Sequence, residues 1–139
     1  MMDAELVAAA RAVRPNARAP FSRFQVGSAV RASSGKVYTG VNVESAAYPL
    51  TCCAERVAIY NAVTAGETSI TAVAVATTAN AAPCGGCRQV IFELGPQATV
   101  LIAGLEGAWT TTTIGALLPP GFDGSALPGG NADDGRTLR

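Results

Sequence analysis

The chain has 139 residues, 10 Lys+Arg against 10 Asp+Glu, 4 Cys and no His, a length that fits one compact domain. The missing imidazole excludes Ser-His-Asp triads, Cys-His dyads and HExxH zinc sites, leaving acid–base and metal chemistry to Cys, Asp, Glu, Lys, Tyr or backbone. Balanced charge with no block of one sign gives no electrostatic footprint for nucleic acid or an anionic membrane.

The opening Met1-Met2-Asp3-Ala4-Glu5 has acids where a signal peptide carries its basic segment, and no apolar run approaches the ~20 residues of a membrane span. Asp3 is expected to cap a helix running to Arg14, with Leu6, Val7, Ala10 and Val13 on one face and Pro15 ending it. Residues 24–32 read as a strand, Ser33-Ser34-Gly35-Lys36 as a hairpin turn and 37–43 as the returning strand. An irregular stretch with Pro49 leads to a helix over 53–65, with Gly66 at its C′ position. A strand covered on both faces follows over 70–77, then a helix over 84–94 stopped by Gly95-Pro96. Strands are expected at 99–103 and 109–113. The short link 104–108 is far below the dozen or more residues of a parallel crossover, so they form an antiparallel hairpin. The prediction is an α/β fold, a five-stranded mixed sheet flanked by helices, as a single domain over 1–122. Residues 123–139, rich in Gly, Asp and Pro, are expected to be a disordered tail.

Charged residues make up 14 %, against a typical ~25 %. A small domain so poor in charge suggests a homo-oligomer that buries several faces; an alanine-rich composition without large apolar patches is the alternative.

The cysteines stand at 52, 53, 84 and 87. Adjacent and closely spaced thiols do not make the framework of a secreted protein, so a reduced cytoplasmic compartment is expected. Cys53 in Cys53-Ala54-Glu55, and Cys84 with Cys87 in Pro83-Cys84-Gly85-Gly86-Cys87, fall at the starts of two helices. Helix N-termini lower thiol pKa values and favour the thiolates zinc requires. Three thiolates with one open position form a catalytic pattern. Glu55, two residues beyond Cys53, is placed to move a proton between water and substrate. Three thiolates leave Zn²⁺ with a net negative site, and Arg56 is the first candidate to offset it by hydrogen bonding to sulfur, with Arg88 the second.

Cys/His-x-Glu followed by Pro-Cys-x-x-Cys is the zinc deaminase signature, and the chain resembles the homotetrameric cytidine deaminases over about residues 15–122. The resemblance rests on Ala19-Pro20-Phe21-Ser22-Arg23-Phe24-Gln25-Val26-Gly27, Gly40-Val41-Asn42-Val43-Glu44, Cys53-Ala54-Glu55-Arg56, Pro83-Cys84-Gly85-Gly86-Cys87-Arg88-Gln89-Val90 and Leu117-Leu118-Pro119-Pro120-Gly121-Phe122. Ser45 and Phe21 depart from the Asn and Tyr common in that family. The resemblance implies a cytidine-deaminase-like three-layer fold and one Zn²⁺ per subunit held by Cys53, Cys84 and Cys87. It also implies Asn42 and Glu44 on the ribose hydroxyls, Phe24 on the pyrimidine, and the Ala54 backbone on its carbonyl. Ala46, Tyr48 and Phe122 would lie near a site shared between subunits of a homotetramer. The implied reaction is hydrolysis at C4 of cytidine or deoxycytidine by a zinc-activated water, with Glu55 protonating N3 and then the departing amino group. A pyrimidine-salvage role follows, with a small nucleoside substrate and neither nucleic acid nor membrane as partner.

Other readings stand beside this one. Cys52 could close a structural four-thiolate site, although consecutive helical residues point about 100° apart, and Cys84–Cys87 could be a redox pair. Asn42 and Glu44 could be strand-end turn residues, Phe24 and Phe122 packing residues, and Arg56 a solvated helix residue. The scaffold could also serve a modified or antibiotic cytosine nucleoside, or a non-catalytic zinc-stabilised interaction module.

Overall fold

The computed structural model describes residues 2–129. Helix α1 spans Met2–Val13 and ends in a 3-10 turn, Arg14–Asn16, that holds Pro15. Asp3 lies inside the first turn instead of capping it, and its carboxylate pairs with Arg31 at 3.6 Å. Strands β1 (Gly27–Ala32) and β2 (Val37–Val41) form an antiparallel hairpin. Helix α2 (Ala54–Thr64) follows, then β3 (Ile70–Ala76) and α3 (Gly85–Leu94). Strands β4 (Thr99–Ala103) and β5 (Trp109–Thr113) make the second antiparallel hairpin, and a four-residue helix α4 spans Ile114–Leu117. The sheet order is β2-β1-β3-β4-β5, with only β3–β4 parallel. The expected mixed sheet and both hairpins are present.

Alternation along the strands builds the three layers. On one face Leu6, Val7 and Ala10 of α1 pack against Ala29, Ala72, Ala74, Ala76 and Leu101. On the other, Ala58, Ile59 and Ala62 of α2 and Ile91 of α3 pack against Val30, Val73 and Val100. Small residues set the close spacing. A methyl on Gly27 would sit 2.0 Å from the Ala10 carbonyl oxygen, and one on Gly40 would sit 2.3 Å from the Ala58 nitrogen. Gly66 takes a φ of +97° at the end of α2, and Glu67 N–H closes the turn on the Ala62 carbonyl.

Both strands of the first hairpin are shorter at the site end than the expected ranges. The sheet begins at Gly27, not 24, and β2 stops at Val41, not 43. There the Asn42 side chain takes over the pairing: its Oδ1 accepts from Val26 N–H at 2.9 Å and its Nδ2 donates to the Phe24 carbonyl at 2.7 Å. Val43 instead bridges to Arg18 and Cys52. A 3-10 turn, Tyr48–Leu50, lies in the irregular stretch. Within the segment expected to be a disordered tail, Gly124–Ala126 form a 3-10 turn capped by Asp123. Residues 130–139 of that segment lie outside the described residues.

Candidate active site

Helix α2 follows β2 and helix α3 follows β3, and these two strands run in the same direction through β1. Both helix N-termini therefore lie at one end of the sheet. Cys53 and Cys84 are the residues that precede the two helices; both are extended and make no side-chain cap bond. Their thiols are thereby free for one another, while the unpaired amides and positive dipole ends of the helices favour negative charge there. Cys87, in the first turn of α3, is fully buried and completes the set. The three Sγ atoms lie within 4.8 Å of one another, with Cys53–Cys84 at 3.7 Å and Cys84–Cys87 at 3.5 Å.

Arg56 turns back from the first turn of α2, and its Nη2 donates to Cys53 Sγ at 3.2 Å. Arg88 faces elsewhere: it donates to the carbonyls of Pro83 (2.8 Å) and Leu117 (3.1 Å), fixing the loop that enters α3. Hydrogen bonds from the Cys87 thiol, the Arg56 guanidinium and the Cys84 thiol hold Cys53 down to about 5, against the opposing effect of burial. Cys87 is pushed up, first by the hydrogen bond it gives to Cys53 and then by burial. The contact with Cys53 raises the Arg56 pKa further, so its positive charge is permanent. Nε of Arg56 is the only buried side-chain nitrogen or oxygen without a partner among the described residues.

Glu55 is 4 % exposed. Desolvation, helped by the negative charge of Cys53, raises its carboxyl to about 7 against the pull of its own backbone amide and Arg56. Glu55 lines a cavity of about 240 Å³ with Cys53, Ala54, Cys84, Phe24, Asn42 and Glu44. Glu44 accepts the N–H groups of Phe21 (2.9 Å) and Ser22 (3.1 Å) on one carboxylate oxygen and the Ser22 hydroxyl on the other. The Ser22 hydroxyl, then its amide and that of Phe21, hold Glu44 below the usual carboxylate range, with Arg18 assisting and partial desolvation opposing.

Not every candidate reaches this cavity. Tyr48 is 73 % exposed and Phe122 54 %, and Ala46 is also exposed. Tyr48 lines a neighbouring depression with Phe21, Ser22, Glu44, Ser45 and Thr51, its ring edge-on to Phe21 at 6.2 Å. Phe122 does not line the cavity; its carbonyl accepts from Gln89 Nε2 at 2.8 Å on the exposed side of α3. Three contributors escaped the sequence reading. Ser22 and Thr51 line the cavity. Buried Thr77 also lines it and shapes the approach to Cys84 by accepting the N–H groups of Ala79 (3.2 Å) and Ala81 (2.9 Å). Their signal is weak, because a lone hydroxyl residue has no spacing to betray it.

The donor set itself tests the metal. Three soft sulfur ligands at helix N-termini, near a fixed cation, suit Zn²⁺. Among the described residues only Cys53, Cys84 and Cys87 group as possible ligands, which leaves Cys52 out of a four-thiolate site. Cys52 is half-buried, and burial pushes its thiol up. Arg56→Gln is expected to retain zinc and fold while losing about tenfold in turnover, the order expected for one hydrogen bond to a charged group. Unchanged turnover with metal in place would show that the sulfur charge is offset without it.

Zinc-dependent deamination is the class of chemistry this fold and donor set define, because a closed structural site has no use for an adjoining cavity with a buried carboxyl. The family model described as "Cytidine and deoxycytidylate deaminase zinc-binding region" matches residues 1–103. A protein named cytidine deaminase from Sporosarcina psychrophila is 42 % identical over 125 residues, 87 % of this chain and 92 % of its own length. The crystal structure of cytidine deaminase from Burkholderia pseudomallei superposes with a TM-score of 0.83 at 43 % identity, covering 88 % of this chain and all of the other. That from Mycobacterium leprae gives 0.73 at 37 % identity, covering 84 % and 96 %. The chain belongs to the cytidine and deoxycytidylate deaminase family.

Proposed function

We propose that the protein is a cytidine deaminase, converting cytidine or deoxycytidine and water to uridine or deoxyuridine and ammonia. The observation that carries the reading is the placement of Glu55. It is a buried carboxyl on the wall of a nucleoside-sized cavity, two residues from one of three clustered sulfurs.

Cys53, Cys84 and Cys87 would hold Zn²⁺, which when bound supplies the Lewis-acid charge that makes water a competent nucleophile near neutral pH. Glu55 serves as the proton carrier, delivering to ring N3 and then to the departing amino group. Phe24 supplies an apolar wall for the pyrimidine. The first amide of α2, on Ala54, is free of the helical ladder and donates to the pyrimidine carbonyl. Glu44, kept ionised by its hydrogen bonds, and Asn42 hydrogen-bond the ribose hydroxyls, Asn42 also holding the backbone of Phe24 and Val26 beside the sugar. Arg56 offsets the charge of the sulfurs.

Oligomeric assembly is part of the same reading. Phe21, Tyr48, Leu50 and Phe122 are exposed apolar side chains on a domain with few charges, which fits a homotetramer whose sites are completed across subunits. Among the described residues no helix is long and apolar enough to cross a membrane. The thiol-rich site suits a reducing cytoplasm, and the chemistry suits pyrimidine salvage. Ultraviolet monitoring of the zinc-loaded protein with cytidine, with uridine identified as product, tests the activity. No conversion by folded, zinc-bound protein would overturn it.

A further inference from the structure

We propose that Ser22 is a positioning residue for nucleoside binding, its hydroxyl locking the backbone of Phe24 to the carboxylate of Glu44 so that the two act as one rigid wall. This rests on the nucleoside reading above. The segment between the turn at Ala19 and the start of β1 has no regular secondary structure, yet its backbone is held at successive points. Phe24 N–H donates to Ser22 Oγ at 3.0 Å, and the Ser22 hydroxyl in turn donates to the Glu44 carboxylate. The Phe24 carbonyl accepts from Asn42 Nδ2 at 2.7 Å. Phe24 is thus fixed on one side through Ser22 to Glu44 and on the other by Asn42.

Arg23, between Ser22 and Phe24, has a φ of +58°. A non-glycine residue keeps that left-handed conformation only where its surroundings over-determine it. The surroundings here are the Ser22 hydroxyl relay and the Arg23 N–H bond to the Ala19 carbonyl, 2.9 Å long. A hydroxyl that accepts one bond and donates another polarises both. Glu44 carries about four acceptor positions. The two amides and the Ser22 hydroxyl fill three, so one remains for a single donor from the cavity. Ser22, Phe24 and Glu44 all line that cavity. Losing the hydroxyl frees Phe24 from Glu44 and leaves the carboxylate to rotate on two amides alone.

The test is steady-state kinetics on the zinc-loaded full chain with cytidine. Ser22→Ala is expected to raise KM about tenfold or more, as for one hydrogen bond to a charged group, with kcat within about twofold. Ser22→Thr, which restores the hydroxyl, should bring KM back. In a double-mutant cycle with Glu44→Gln the two effects on KM should fall well short of multiplying, because both changes cut one relay. An unchanged KM, a loss confined to kcat, or independent multiplying effects would each overturn the assignment. Absence of turnover by the wild-type protein would instead overturn the nucleoside reading on which it rests.

Discussion

Glu55→Gln is expected to lower kcat by about 10²–10⁴-fold, the range for removing a positioned proton-transfer group, while zinc content and unfolding midpoint stay at the wild-type level. The amide keeps the size of the carboxyl and occupies the same buried volume. It bears no exchangeable carboxyl proton, so it can hydrogen bond but cannot carry a proton from water to N3 and on to the leaving nitrogen. Glu55 lies beside Cys53 without joining the sulfur cluster, and the three thiols that group as ligands do not include it. Metal retention therefore separates a proton carrier from a ligand. Rate measurements on cytidine alongside zinc analysis decide the matter: wild-type turnover would remove Glu55 from the chemistry, and loss of zinc would make it part of the metal site.

Cys84→Ala is expected to abolish both zinc binding and the stabilisation that zinc confers. Cys84 is an exposed thiol, so its replacement removes little packing, and the metal-free variant should unfold close to the metal-free wild type. Added zinc is a different matter. A ligand that binds only the folded chain stabilises it by about 3–4 kcal/mol at free concentrations of 100 to 1,000 times Kd. For a chain of this size that is a Tm rise on the order of 10 °C. The rise should be present in the wild type and absent in the variant. A variant that still gains stability with zinc would show that two sulfurs suffice or that Cys52 substitutes.

The parts of the fold that follow short local rules were legible in the sequence. Small and β-branched residues at 70–76, the Gly66 stop and the Gly95-Pro96 stop each speak for themselves. The first hairpin followed from the Ser33-Ser34-Gly35-Lys36 turn and the second from a link too short for a crossover. What escaped was decided by contacts between residues distant in sequence. The alternation through Phe24 and Val26 reads as strand, but the Asn42 side chain removes that segment from the sheet. Helix α4 has four residues, too few for a periodicity to show, and only the Thr113 side chain that caps it marks its start. Within the site, Cys53, Cys84, Cys87 and Glu55 were legible because their chemistry is rare and their spacing fixed. Ser22 was not, because its partner lies 22 positions away. Tyr48 and Phe122 are exposed and do not line the cavity of the single chain, as side chains expected near a site shared between subunits can be, and no local pattern tells a face that meets substrate from one that meets a neighbouring copy.

The order of the strands gives the cysteine cluster a second significance, for the route by which the chain closes. Ser28 of β1 pairs with Gly40 on one side, close in sequence, and with Val75 of β3 on the other, much further along. Closing the β1–β3 seam therefore carries more loop-closure entropy than closing the β1–β2 hairpin, and it joins a part built from α1, β1 and β2 to a part built from β3 to β5. Cys53 follows the first part, Cys84 and Cys87 belong to the second, and 31 positions of chain separate Cys53 from Cys84. A metal on these sulfurs fastens the seam from its open end, and hydrogen exchange should record it. Zinc removal is expected to speed exchange of the β1–β3 amides more than those of the β1–β2 hairpin, and uniform acceleration would show that the sheet opens as one unit.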